Sequence, residues 1–80
     1  MKVIVNVFLK AGVLDSQGKA VHPALNSLHF NGVSDVRVGK QIVLNLDEED
    51  EGKAREEVAR MCEDLLANTV IEDYEIELIK

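Results

Sequence analysis

A chain of 80 residues, 46% hydrophobic and 30% charged, has room for one small globular domain over residues 1–80 and little more. A net charge of −6 opposes phosphate backbones and anionic membrane surfaces, which argues against a nucleic-acid partner. No apolar run nears the ~20 residues that a membrane helix needs, the single cysteine forms no internal disulfide, and Met1 leads straight into a strand pattern with no signal-peptide profile, so the cytoplasm is the expected compartment. The charge is uneven: residues 1–46 carry +3 and residues 47–80 carry −9. That asymmetry serves solubility, and it can also orient a domain between partners.

Lys2 to Leu9 (KVIVNVFL) reads as a strand with Val3, Val5, Val7 and Leu9 on one face and Ile4, Asn6 and Phe8 on the other. Both faces are largely apolar, as in a central strand covered on each side. A loop through Gly12 follows, with Asp15 and Ser16 as candidate N-caps. A helix is expected over about 17–29, with Val21, Ala24, Leu25 and Leu28 as its buried stripe and Asn31-Gly32 ending it. Pro23 predicts a kink or a restart there.

Ser34 to Leu46 (SDVRVGKQIVLNL) alternates strongly. A three-residue loop, Gly39-Lys40-Gln41, would pair Val38 with Ile42 and Val36 with Leu44 and keep one face apolar; one long strand bent at Gly39 would keep the same alternation. The hairpin is preferred, because ~13 residues is long for a strand in so small a domain. The acidic run 47–51 complements the start of a second helix over about 53–67, whose stripe is Ala54, Val58, Met61, Cys62, Leu65 and Leu66, with Asn68 as its cap. Val70 to Ile79 is the last strand. The order β-α-β-β-α-β predicts a ferredoxin-like α+β sandwich, an antiparallel four-stranded sheet with both helices on one face. A core this small gains from association, and Ile4, Phe8 and Val43, on the face away from the helices, are the candidate self-association residues.

No catalytic constellation can be assembled. Cys62 lies within an apolar stripe, where a thiol is a small hydrophobe rather than a nucleophile. His22 and His29 lack a third ligand for zinc, and Gly39-Lys40 lacks the rest of a phosphate-binding loop. No catalytic, cofactor-binding or metal-binding residue is therefore assigned. The remaining polar residues on strands and turns are Asp35, Arg37, Gly39, Lys40, Asn68, Glu72, Asp73 and Tyr74. Each is either a solvated position or a residue that meets a partner, and these eight form the candidate partner-binding set.

Three stretches carry a resemblance: VLDSQGKAV over 13–21, VSDVRVGK over 33–40 and MCEDLLANTVIEDYEIEL over 61–78. Together they resemble the PurS family across nearly the whole chain, with Ser16 standing where that family often has proline. The resemblance implies a non-catalytic subunit of phosphoribosylformylglycinamidine synthase. Such a subunit is usually dimeric, here a homodimer or tetramer, and joins the PurQ glutaminase to the PurL synthetase. It implies that ATP, magnesium and glutamine are used by those partners, with no cofactor in this chain. Free ammonia is mostly protonated at neutral pH, so a scaffold that supports its sequestered transfer is chemically reasonable. A different class, a small amino-acid-sensing regulatory domain of the same architecture, would be told apart by stabilisation on binding an amino acid.

Overall fold

The computed structural model describes residues 1–79. Their elements are β1 (Lys2–Leu9), α1 (Ser16–Ser27), β2 (Lys40–Asn45), α2 (Glu51–Met61), a π-helical turn (Cys62–Leu66) and β3 (Glu72–Ile79). Among the described residues the sheet has three strands in the order β2-β1-β3. β1 runs antiparallel to both neighbours, Val5 facing Ile42 on one side and Ile76 on the other. β2 and β3 are thus parallel to each other, and α2 is the crossover between them. The α+β architecture is the one the pattern predicts.

The core follows from period-two alternation. Val3, Val5 and Val7 are fully buried beneath Val58 and Cys62, and Ile42, Leu44, Tyr74, Ile76 and Leu78 close in from the flanking strands. Asp50 begins α2 by accepting the Lys53 N–H at 3.0 Å. After Met61 the helix widens by one residue, the Ala67 N–H reaching the Cys62 carbonyl five positions back. The extra residue rotates the stripe: Leu66 stays half-buried, while Leu65, expected in the core, is 83% exposed.

Two expectations are corrected. Residues 34–38 do not form the fourth strand, and Gly39-Lys40-Gln41 is not a hairpin loop. The Val38 N–H is taken by the Asp15 carboxylate at 2.7 Å, and the Arg37 guanidinium bonds the carbonyl of Leu9. Asp15 of the β1–α1 loop and the segment's own Arg37 thereby fasten it beside that loop, and the chain runs on through Gly39 into β2. The second correction concerns α1, which does not lie on the sheet beside α2. Its stripe stays largely open, with Leu28 64% exposed and Val21 39%. The radius of gyration is 15.9 Å and the extents are 47 × 27 × 14 Å, whereas a compact chain of this length has a radius of about 12 Å. The excess is the arm that carries α1. Pro23 is accommodated within the helix. α1 ends at Ser27 with Leu28 as its C-cap, earlier than Asn31-Gly32 suggested: His29 takes a left-handed φ of 71°, and the N–H groups of His29 and Phe30 close onto the carbonyls of Asn26 and Leu25.

Candidate partner interface

The candidate polar residues gather at one end of the sheet, where β1 finishes, β2 and β3 begin and the arm departs. Asp15 organises this end. As N-cap of α1 it accepts the Gly18 N–H at 2.9 Å with one oxygen, and with the other it accepts the Val38 N–H. These two bonds, Gly18 first, hold its carboxyl below the usual carboxylate value, with a further contribution from the Arg37 guanidinium.

Gly39, Lys40 and Glu72 line one cleft of about 310 Å³, together with Asp15, Ser16 and Gln17. Asp35 and Arg37 line a second cleft with Lys19 and Asp15. Glu72, Asp73 and Tyr74 border a third with Lys10 and Glu63. Asp73 is ion-paired with Lys10 at 3.6 Å. Glu72 accepts the Asn68 N–H at 2.7 Å, and Asn68 in turn caps the Val70 N–H with its side chain. Asn68 and Glu72 thus build the turn into β3, while Lys40 and Asp35 are exposed, with no side-chain hydrogen bond among the described residues. Tyr74 points to the core side of the sheet; burial, and then the Glu63 carboxylate, push its hydroxyl pKa up. Burial likewise raises the Cys62 thiol.

Ile4, Phe8 and Val43 occupy the sheet face away from α2, Ile4 opposite Val43 in the ladder, with Val43 52% exposed. An amide pair, Gln41 Nε2 to Asn6 Oδ1 at 3.0 Å, separates Ile4 from Phe8 along β1. Sequence reasoning missed Asp15 as a member of the polar end. Its capping role was legible, but its bond to a residue 23 positions away has no local signal.

Among the described residues, no group of three His, Cys, Asp or Glu side chains is placed to hold a metal ion, and no helix is long and apolar enough to cross a membrane. The clefts are shallow and open, and the Cys62 thiol is buried away from them. What the fold and this end define is a small α+β domain with a polar end and an apolar helix stripe left open to solvent.

Comparison with known proteins gives that class a family. Residues 2–80 match the family model PurS, described as phosphoribosylformylglycinamidine (FGAM) synthase. The PurS subunit of Bacillus subtilis is 52% identical over 77 residues, covering 96% of this chain and 90% of that protein. That of Methanocaldococcus jannaschii is 47% identical over 79 residues, covering 99% and 95%. A crystal form of B. subtilis PurS superimposes with a TM-score of 0.87 at 51% identity over 99% of this chain and 98% of that one. A chain of the PurLQS structure from Thermotoga maritima does so with a TM-score of 0.87 at 34% identity, over 95% and 93%. The chain belongs to the PurS family, the small subunit of FGAM synthase in purine biosynthesis.

Proposed function

We propose that this chain is a single-domain, non-catalytic scaffold in the cytoplasm that joins a PurL-type synthetase to a PurQ-type glutaminase. In this reading the assembly makes formylglycinamidine ribonucleotide from formylglycinamide ribonucleotide. ATP, magnesium and glutamine act on the partner subunits, and this chain helps to retain the ammonia passed between them. The observation that carries the reading is the near-complete superposition on a chain of the T. maritima PurLQS structure. The polar end formed by Asp35, Arg37, Gly39, Lys40, Asn68, Glu72, Asp73 and Tyr74 is the surface offered to those partners.

Self-association is part of the proposal. The outer edge of β2 has no partner strand among the described residues, and α1 keeps its apolar stripe open. A second copy satisfies both: its 34–38 segment lies along the free edge of β2, and its α1 lies beside α2. The pairing of Val36 and Val38 with Leu44 and Ile42, expected inside one chain, is then made between two. The backbone groups of Asp35 and Arg37, which bond nothing among the described residues, would enter that ladder. A homodimer, or a tetramer of two such dimers, follows.

The test is reconstitution. The purified chain alone should turn over neither glutamine nor formylglycinamide ribonucleotide. Added to the two partner subunits, it should co-migrate with them and restore glutamine-dependent synthesis. Glutamine turnover by the lone chain, or full activity of the partners without it, would overturn the proposal.

A further inference from the structure

The arm over residues 10–39 is stapled along its length. At the root the Asp15 carboxylate holds the Gly18 and Val38 N–H groups together. Gly18 lies so close beneath residue 36 that a Cβ would stand 2.3 Å from the Val36 carbonyl oxygen. Gly39 lies as closely on β1, where a Cβ would stand 2.7 Å from the Val7 carbonyl oxygen. Arg37 ties the return segment to the end of β1 through the Leu9 carbonyl. Further out, the His22 ring bonds the Val33 carbonyl at 2.8 Å. The helix and its return segment therefore form one stiff unit, joined to the sheet through a short root.

The root also fixes how the return segment is turned. In the register of Val38 with Ile42 the ladder is made by the backbone groups of Asp35 and Arg37, and the Val38 N–H points away from it. Asp15 accepts that outward donor. The carboxylate is ionised at neutral pH, and such charge-assisted bonds exceed ordinary backbone ones in strength. Swinging the return segment away from α1 means giving up this bond while stranding a capping carboxylate whose other oxygen serves α1.

We propose that Asp15 is the positioning residue of the arm, tying the return segment at Val38 to the start of α1 and setting the angle at which α1 is presented to a second copy. This rests on the self-association reading above and adds a named residue to it. Pre-building the arm removes the ordering cost that a flexible arm would meet on association.

Two readouts test it. The first is the orientation of the arm within one chain: spin labels at positions 27 and 45, in a Cys62→Ala background and diluted into unlabelled chains. Wild type should give one narrow distance, and Asp15→Ala a broad distribution. The second is the dimer dissociation constant by sedimentation, which should rise at least tenfold in Asp15→Ala. Asp15→Asn keeps one acceptor oxygen, is expected to fold, and should fall between. Amide exchange across β1 and β3 reports the fold in each variant. A narrow, unshifted distance in Asp15→Asn and in every Asp15→Ala sample that retains sheet protection overturns the proposal, as does a dissociation constant within twofold of wild type in both. A wild-type chain that stays monomeric at high concentration sinks the self-association reading instead, and the spin-label distances still decide the role of Asp15 at the root.

Discussion

Gly18 packs against the carbonyl oxygen of Val36 so closely that a methyl group at Gly18 would stand 2.3 Å from it. The atom in the way is backbone, and the same methyl would stand 2.8 Å from an Asp15 carboxylate oxygen, so no side-chain rotation relieves the clash. Gly18 is the fully enclosed residue of α1. In an exposed helix interior, Gly→Ala stabilises by about 1 kcal/mol. Here the sign should reverse, with Gly18→Ala costing ~1–3 kcal/mol by overpacking. Thermal unfolding checks the sign, and an unchanged or raised melting temperature would mean that the root is looser than its geometry.

Cys62 and Val58 share the core, yet they should answer differently to truncation. Both are fully buried on Val3, Val5 and Val7. Cys62→Ala removes one sulfur and should cost roughly 1 kcal/mol, while Val58→Ala removes two methyl groups at the sheet–helix contact and should cost about 2–3 kcal/mol. Both should support full activity in the reconstituted complex. Denaturant titration gives the costs, and burial that raises the thiol pKa predicts slow alkylation of Cys62 in the folded chain.

The elements that sequence reasoning placed best are those whose burial is decided within a few residues. The alternation of β1 places Val3, Val5 and Val7 in the core, and the Asp50 cap marks the start of α2. What it could not place depends on other parts of the chain or on other chains. The stripe of Val21, Leu25 and Leu28 shows that α1 has an apolar face, and helical spacing is silent about which chain covers it. Residues 34–38 alternate in the same way whether they join a ladder or are fastened by Asp15 and Arg37. Leu65 falls on the α2 stripe at a spacing of 3.6, and the π-turn that rotates it outward leaves no periodic mark. Among the candidate partner residues, the gathering of Gly39, Lys40 and Glu72 around one cleft depends on strand order, which short-range pattern does not encode.

Two apolar surfaces compete as the seat of self-association, and one substitution on each separates them. Leu28 lies on the open stripe of α1, while Phe8 lies on the sheet face away from α2. If the arm reaches a second copy, Leu28→Asp should raise the dimer dissociation constant by a hundredfold or so, about 3 kcal/mol for burying a charge in place of a leucine. Phe8→Asp should then change dimerisation little and act only on a further pairing of dimers. Sedimentation of both variants decides; a monomeric Phe8→Asp beside a dimeric Leu28→Asp would move the interface to the sheet face.

The Asp15 bonds predict an acid transition confined to the arm. The carboxyl lies below its ordinary value of 3.8 because the Gly18 and then the Val38 N–H favour the ionised form. A group depressed in the folded state stabilises above its unfolded value, and that contribution is lost as the pH falls through the folded one. The Gly18 and Val38 amide resonances should therefore shift together, with a midpoint below 3.8, ahead of any change in the β1 amides. A midpoint at or above that value would show that neither bond favours the carboxylate.

Arg37 and Lys40 are three residues apart and both exposed, but their surroundings separate them. Arg37 donates to the carbonyl of Leu9 and reaches towards that of Lys10 at 3.5 Å, so it helps to fasten the arm root. The Lys40 ammonium makes no hydrogen bond or ion pair within the described residues, and the residue lies in the cleft with Gly39 and Glu72. Arg37→Ala should consequently lower stability modestly, by about 1 kcal/mol for the lost bonds of a charged donor to exposed carbonyls. Lys40→Ala should leave the melting temperature nearly unchanged, within about 0.5 kcal/mol as for ordinary surface positions. Its effect should fall on assembly. A cation that meets a carboxylate on a catalytic subunit and loses its water there can account for ~2–5 kcal/mol when its partner is left unpaired. Such a contact weakens with added salt to the extent that it remains exposed. Titrating wild type, Arg37→Ala and Lys40→Ala against the two partner subunits at low and moderate salt reads both effects. A Lys40→Ala chain that binds and supports synthesis at wild-type levels would assign Lys40 to solvent and leave Arg37, through the arm, as the basic residue of this end that matters.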